Sequence, residues 1–221
     1  MLGTYKEALR EVKDGIRELL ENLLKANETI YDGISTCNQE GFKDAKINLK
    51  NTTAKTVAID NNIIKLLALY TPEATDLREV VAFLKITNEI LRAATSTRSL
   101  IKGLMGACED IDNGMIKDFA LPLQLSTVKA IKLVKDMLDI DYTDELRDSF
   151  NETLIEENKT DDLYELLERS VLDNPVNSVE DFEKIHKILR AFRKSEKIAD
   201  RSVSMANLLL YIKIGGTMQR L

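Results

Sequence analysis

The chain has no tryptophan, one histidine, two cysteines, three prolines and nine glycines in 221 residues. So few turn formers exclude collagen-like and low-complexity classes and argue against a turn-rich β-sandwich. Two cysteines are too few for a disulfide scaffold, and a chain of this length buries enough surface to hold a core without one. Cys37 and Cys108 form no Cys-x-x-Cys; one disulfide is possible on paper, but free thiols in a reducing compartment are the expectation. The lone His186 excludes a multi-histidine metal site, and neither cysteine has a histidine near it in sequence to activate a thiol. No apolar run is long. The best, Val203 to Ile214, falls short of the ~20 residues that span a bilayer and carries Asn207 and Lys213. The opening MLGTYKEALREVKD lacks an apolar stretch, so a secretory signal is not expected. Basic blocks are missing too; at a net charge of −6 nucleic acid is a poor partner, because binding it relies on Lys and Arg neutralising phosphates. No Gly-x-Gly-x-x-Gly, P-loop or Gly-x-Ser-x-Gly motif occurs, and nothing in the chain reads as an enzyme active site. These absences lead us to expect a soluble cytoplasmic protein that is not an enzyme.

What is present is helical periodicity. Tyr5, Leu9, Val12, Ile16, Leu19, Leu20, Leu23 and Leu24 recur at steps of three and four, and the stripe runs on through Ile30 and Ile34. A second helix is expected from about Phe42 to Tyr70, with Val57, Ile63, Ile64 and Leu67 inward, stopped by Thr71-Pro72. A third starts near Thr75, turns Leu77, Val80, Val81, Leu84, Ile90, Leu91 and Leu100 inward, and is weakened by Gly103 and Gly106. Three more follow at about 116–140, 143–172 and 179–214. Ser178 offers an N-cap to the last, and Gly215-Gly216 ends it. A constant offset of 105 residues takes Leu77 to Phe182, Val80 to Ile185, Leu84 to Leu189 and Ala94 to Ala199. The expected architecture is all-α, with two tandem three-helix bundles, 1–110 and 111–221, related by an internal repeat.

The candidate site is acidic. Asp161 and Glu165 lie one turn apart on the fifth helix, and Glu196 and Asp200 one turn apart on the sixth. Acids at i and i+4 share a helix face and repel unless something cationic compensates. Two such pairs on neighbouring helices form an all-oxygen donor set suited to a hard cation. The midpoint of the two pairs lies about five residues beyond the centre of the intervening turn, so an ideal hairpin staggers them along its axis.

Leu67-Ala-Leu-Tyr-Thr-Pro-Glu-Ala-Thr-Asp-Leu-Arg78 carries a Pro-x-Ala-x-Asp-Leu-Arg turn, and in this it resembles the PhoU family. Ser195-Glu-Lys-Ile-Ala-Asp200, followed by Arg201-Ser-Val-Ser-Met-Ala206 and closed by Leu210-Tyr-Ile-Lys-Ile-Gly-Gly216, looks like its Glu-Arg-Ile-Gly-Asp helix. The resemblance covers nearly the whole chain and implies two tandem three-helix bundles. It further implies a cytoplasmic, homodimeric negative regulator of phosphate uptake. Such a protein restrains a phosphate transporter and its sensor histidine kinase by protein contacts, and meets the membrane only through partners. The alternative role is accessory subunit of a low-affinity or sodium-coupled phosphate transporter. The resemblance also implies iron or zinc bound by Glu/Asp-x-x-x-Asp pairs, which map to Asp161 with Glu165 and Glu196 with Asp200; magnesium or calcium would suit the same oxygens. The first half departs from this pattern. Moving the four acids back by 105 residues gives Thr56, Asp60, Leu91 and Thr95, so one carboxylate of four survives and a first metal site is not expected.

Overall fold

In the computed structural model, residues 2–111, 113–172 and 178–216 are described, and no strand occurs among them. The elements run α1 Leu2–Ile34, α2 Gln39–Asn48, α3 Thr52–Tyr70, α4 Ala74–Ala107, a 3-10 turn Cys108–Asp110, the short α5 Asn113–Met115, a π-turn Ile116–Ala120, α6 Leu121–Met137, α7 Thr143–Leu172 and α8 Val179–Ile214. None of these helices is long and apolar enough to cross a membrane.

The stripe read on α1 is the inner face: Val12, Ile16, Leu19, Leu20, Leu23, Ile30 and Ile34 are all buried. The expected second helix divides into α2 and α3. At the break, the carbonyl freed at Leu49 accepts from Arg98 Nη2 at 2.7 Å and from Thr52 Oγ1 at 2.9 Å, so the interruption leaves no orphaned acceptor there. The break also resets the helical phase. Ile59, Ile63 and Leu66 face the core, whereas Val57 and Ile64, expected inward, are exposed. Leu77 is likewise exposed, while Val80, Ile90 and Leu100 of α4 are buried. Gly103 does not end α4. A Cβ there would come within 2.7 Å of Ala191 Cβ, so the glycine permits close approach of α8.

The expected turn at Asp173–Ser178 lies outside the described residues up to 177. Its last residue caps α8 as read, Asp181 N donating to Ser178 Oγ at 3.0 Å. At the other end of α8, Gly215 takes φ 73° and its N–H donates to Tyr211 O at 2.9 Å.

The α4–α8 pair makes the most extensive helix contact and joins the two halves. Two apolar cores lie along it, and each draws on both halves. One contains Ile16, Ile63, Ile86, Val134 and Met205; the other contains Leu23, Phe42, Leu100, Leu167 and Phe192. Beside the second core runs a buried polar chain. Ser195 Oγ donates to Gln124 Oε1 at 2.8 Å, Gln124 Nε2 donates to Asn27 Oδ1 at 3.1 Å, and Asn27 Nδ2 donates to Thr97 Oγ1 at 3.3 Å. These bonds tie α8, α6, α1 and α4 at one level, and such groups are tolerated in a core because they satisfy one another.

The cysteines correct the expectation of free thiols: Cys37 and Cys108 are disulfide-bonded, with Cα atoms 5.6 Å apart. Their separation of 71 residues hides the proximity. The carboxyl ends of α1 and α4 lie at the same end of the bundle, and Cys37, in the left-handed region at φ 48°, carries the chain just past α1.

Candidate metal centre

The α7–α8 hairpin brings three carboxylates together: one oxygen each from Glu157, Asp161 and Asp200 lies within 4.8 Å of the others. Asp161 is exposed, and Glu157 and Asp200 are half-buried. Glu196, one turn before Asp200, is buried at 5% exposure. Arg193 Nε lies 3.0 Å from Glu196 Oε2 but is not aligned to donate to it, so that buried oxygen has no hydrogen bond. Arg193 also stands 5.0 Å over the Tyr164 ring, a cation–π contact that fixes where its charge sits.

Of the four acids singled out by spacing, Asp161 and Asp200 join the cluster and Glu196 stands beside it. Glu165 does not. It is exposed on α7 and pairs with Arg169 of the same helix. Glu157 takes its place, and the reason is the stagger of the hairpin. Moving the α7 pair back one turn, from 161 and 165 to 157 and 161, brings it closer to level with Glu196 and Asp200 across the turn. The signal is in the sequence: Glu157-x-x-x-Asp161 has the same Glu-then-Asp order as Glu196-x-x-x-Asp200.

The electrostatics are those of crowded, partly desolvated acids. Burial first, then the neighbouring Asp200, pushes Glu196 up to about 7, against the pull of Arg193 and Lys197. Burial and then Asp161 raise Asp200 against Lys197, Arg201 and Arg193. Burial, then Asp161 and Asp200, raise Glu157, and a hydrogen bond with Asp200 also favours its protonated form. Such a group of oxygens, with one buried and without a hydrogen bond beside it, fits a hard or borderline cation, whose charge would oppose these upward shifts.

The positions that the 105-residue offset reaches in the first half are chemically different. Residues 105 positions before Glu157, Asp161, Glu196 and Asp200 are Thr52, Thr56, Leu91 and Thr95. Thr52 and Thr95 turn their hydroxyls onto the Leu49 and Leu91 carbonyls, at 2.9 and 2.8 Å, and Thr56 is buried with its hydroxyl unpartnered. Asp60, the counterpart of Glu165, accepts from Thr87 Oγ1 at 2.6 Å. None of the four positions has a carboxylate to offer a cation.

No family model matches the chain. It is 24% identical over 216 residues, 90% of this chain and 96% of the other, to a phosphate-specific transport system accessory protein PhoU homolog of Borreliella burgdorferi. The phosphate transport system regulatory protein PhoU from Streptococcus pneumoniae superposes with a TM-score of 0.80 at 14% identity, over 98% of this chain and 100% of that one. PhoU from Pseudomonas aeruginosa superposes at 0.75 and 15%, over 97% and 98%. In fold, and in sequence over nearly its whole length, this chain is PhoU-like.

Proposed function

We propose that this chain is a regulatory or accessory protein of a phosphate transport system. Its likeness to the Borreliella protein, whose name states that role, carries the reading, and the end-to-end match to PhoU structures supports it. In the finer form of the proposal, the protein is a cytoplasmic homodimer that restrains a phosphate transporter and its sensor histidine kinase through helical faces. It reaches the membrane only through those partners and is not an enzyme. Residues 1–110 and 111–221 are read as two copies of one three-helix unit.

The second copy holds a metal, iron or zinc, with magnesium or calcium the alternatives. Glu157, Asp161 and Asp200 would supply its oxygens and Glu196 a further one. A bound cation would cancel the repulsion between α7 and α8 and so stiffen that hairpin. The chain's own residues set the background: Arg193, held over Tyr164, partly compensates Glu196, and burial keeps Glu196 poorly hydrated.

Deleting the gene and measuring phosphate uptake in phosphate-rich medium tests the proposal. Derepressed uptake with a constitutively active sensor kinase is the expected result. Unchanged uptake and sensor output would overturn the restraining role and turn the reading to the accessory subunit of a low-affinity or sodium-coupled carrier.

A further inference from the structure

The flank of α8 that faces α4 carries charge of the opposite sign to its acidic cluster. A groove of about 410 Å3 there is lined by Leu91, Arg92, Thr95, Ser96, Lys197 and Arg201. Three of these residues are cations, two bear hydroxyls and none is an acid, in a chain whose net charge is −6. Lys197 and Arg201 each follow one of the acids Glu196 and Asp200, so they are rotated by about 100° around α8 from the cluster. Across the groove, Leu91 and Thr95 stand where the 105-residue register would repeat Glu196 and Asp200. Carboxylates at those two positions would lower the positive charge of the groove; leucine and threonine place no acid within its lining.

Arg201 Nη1 meets Glu89 Oε2 at 3.2 Å, which orients the guanidinium from outside the groove's lining. Arg92 and Lys197 have no ion-pair partner within 4 Å among the described residues. Lys197 does feel Glu196 and Asp200 from the other side of α8, a field that weakens its share of the groove's charge without abolishing it.

We propose that this groove binds a phosphate dianion through Arg92, Lys197 and Arg201. Guanidinium forks match two oxygens of a phosphate at once, and the lysine adds a point charge. Ser96 supplies a neutral donor. The Thr95 hydrogen is already given to the Leu91 carbonyl, so Thr95 contributes shape alone. The site is open, so its affinity falls with ionic strength. It rests on the charges of the groove and needs neither a metal at the acidic cluster nor the regulatory role.

Equilibrium dialysis of inorganic phosphate against the full chain at low ionic strength tests the proposal, in parallel with flotation on phosphatidylcholine vesicles with and without phosphatidic acid. Saturable binding of one phosphate is expected, weakened by at least about tenfold in Arg92→Ala/Lys197→Ala, since hydrogen bonds to charged groups are worth that much each. Leu91→Glu/Thr95→Glu, which restores acids opposite the cations, should produce the same loss by a different route and decides the matter if the first variant misfolds. Lys25→Ala/Lys43→Ala, the same charge change at two residues of α1 and α2 that do not line the groove, should bind as the parent does. Free phosphate bound and lost in the groove variants identifies the ligand as a soluble phosphate; binding only to phosphatidic acid vesicles, lost likewise, identifies a lipid headgroup. No saturable binding of either probe, binding kept by the groove variants, or equal loss in the Lys25/Lys43 control would overturn the proposal.

Discussion

The α7–α8 hairpin and the α3–α4 pair that the 105-residue offset sets against it carry opposite chemistry at the offset positions. In the second half Glu157, Asp161 and Asp200 crowd together with Glu196 beside them, and burial and mutual repulsion raise Glu157, Glu196 and Asp200 from their ordinary values. In the first half Thr52 and Thr95 satisfy themselves on backbone carbonyls, Leu91 is apolar, and the one nearby acid, Asp60, is bonded by Thr87. The helix pair therefore forms without the carboxylates. Where they occur their crowding costs stability, and the cation proposed above would offset that cost.

The largest expected effect comes from moving an acid into the wrong half. Thr56 is 2% exposed, so Thr56→Asp buries a charge with no partner and should destabilise the fold by about 3–5 kcal/mol in chemical denaturation. The reverse change at the position 105 residues on, Asp161→Thr, relieves repulsion at an exposed site and should cost nothing or stabilise slightly. Comparable effects for the two would mean that the halves are electrostatically alike.

A smaller effect should appear as pH dependence in the presence of a chelator. Glu196 holds its proton more tightly in the folded protein, up to about 7, than the ordinary 4.5 expected of the unfolded chain. Its contribution to stability is fully present below the unfolded value and is lost as pH rises through the folded one. Glu157 and Asp200 shift in the same direction. Glu21 and Asp139 shift the other way, lowered first by hydrogen bonds from Lys135 and Arg17, so their contribution is lost only as pH falls through their depressed values. Between about pH 4.5 and 7 the acidic cluster thus makes Tm fall as pH rises. Glu196→Gln should flatten that slope, and an undiminished slope would place its origin elsewhere, Glu79 being the first candidate because burial raises it too.

Much of the fold is legible in the sequence because α1, α6, α7 and α8 obey local rules. A strong apolar stripe buries Ile16 and Leu20, and Ser178 and Gly215 punctuate α8 as capping chemistry requires. What escapes local reading is set by contacts distant in sequence. The break between α2 and α3 is supported by Arg98, 49 residues away, and it turns Val57 and Ile64 outward. Gly103 reads as a helix weakener until Ala191 packs against it. The disulfide depends on two helix ends meeting across 71 residues. At the site, the i,i+4 rule finds acid pairs but cannot set the stagger of two helices, which is why Glu157 displaces Glu165 from the cluster.

The most direct test of the central claim, a metal held by the second half alone, is stoichiometric metal analysis and titration calorimetry on the parent, Glu157→Ala/Asp200→Ala, Glu165→Ala and Thr56→Ala/Thr95→Ala. The parent should bind iron or zinc and gain about 2.7 kcal/mol of stability when free metal is a hundredfold above Kd. Glu157→Ala/Asp200→Ala should abolish binding, while Glu165→Ala and the threonine variant should bind as the parent does. Metal retained by Glu157→Ala/Asp200→Ala, or lost with Glu165 or the two threonines, would contradict the account.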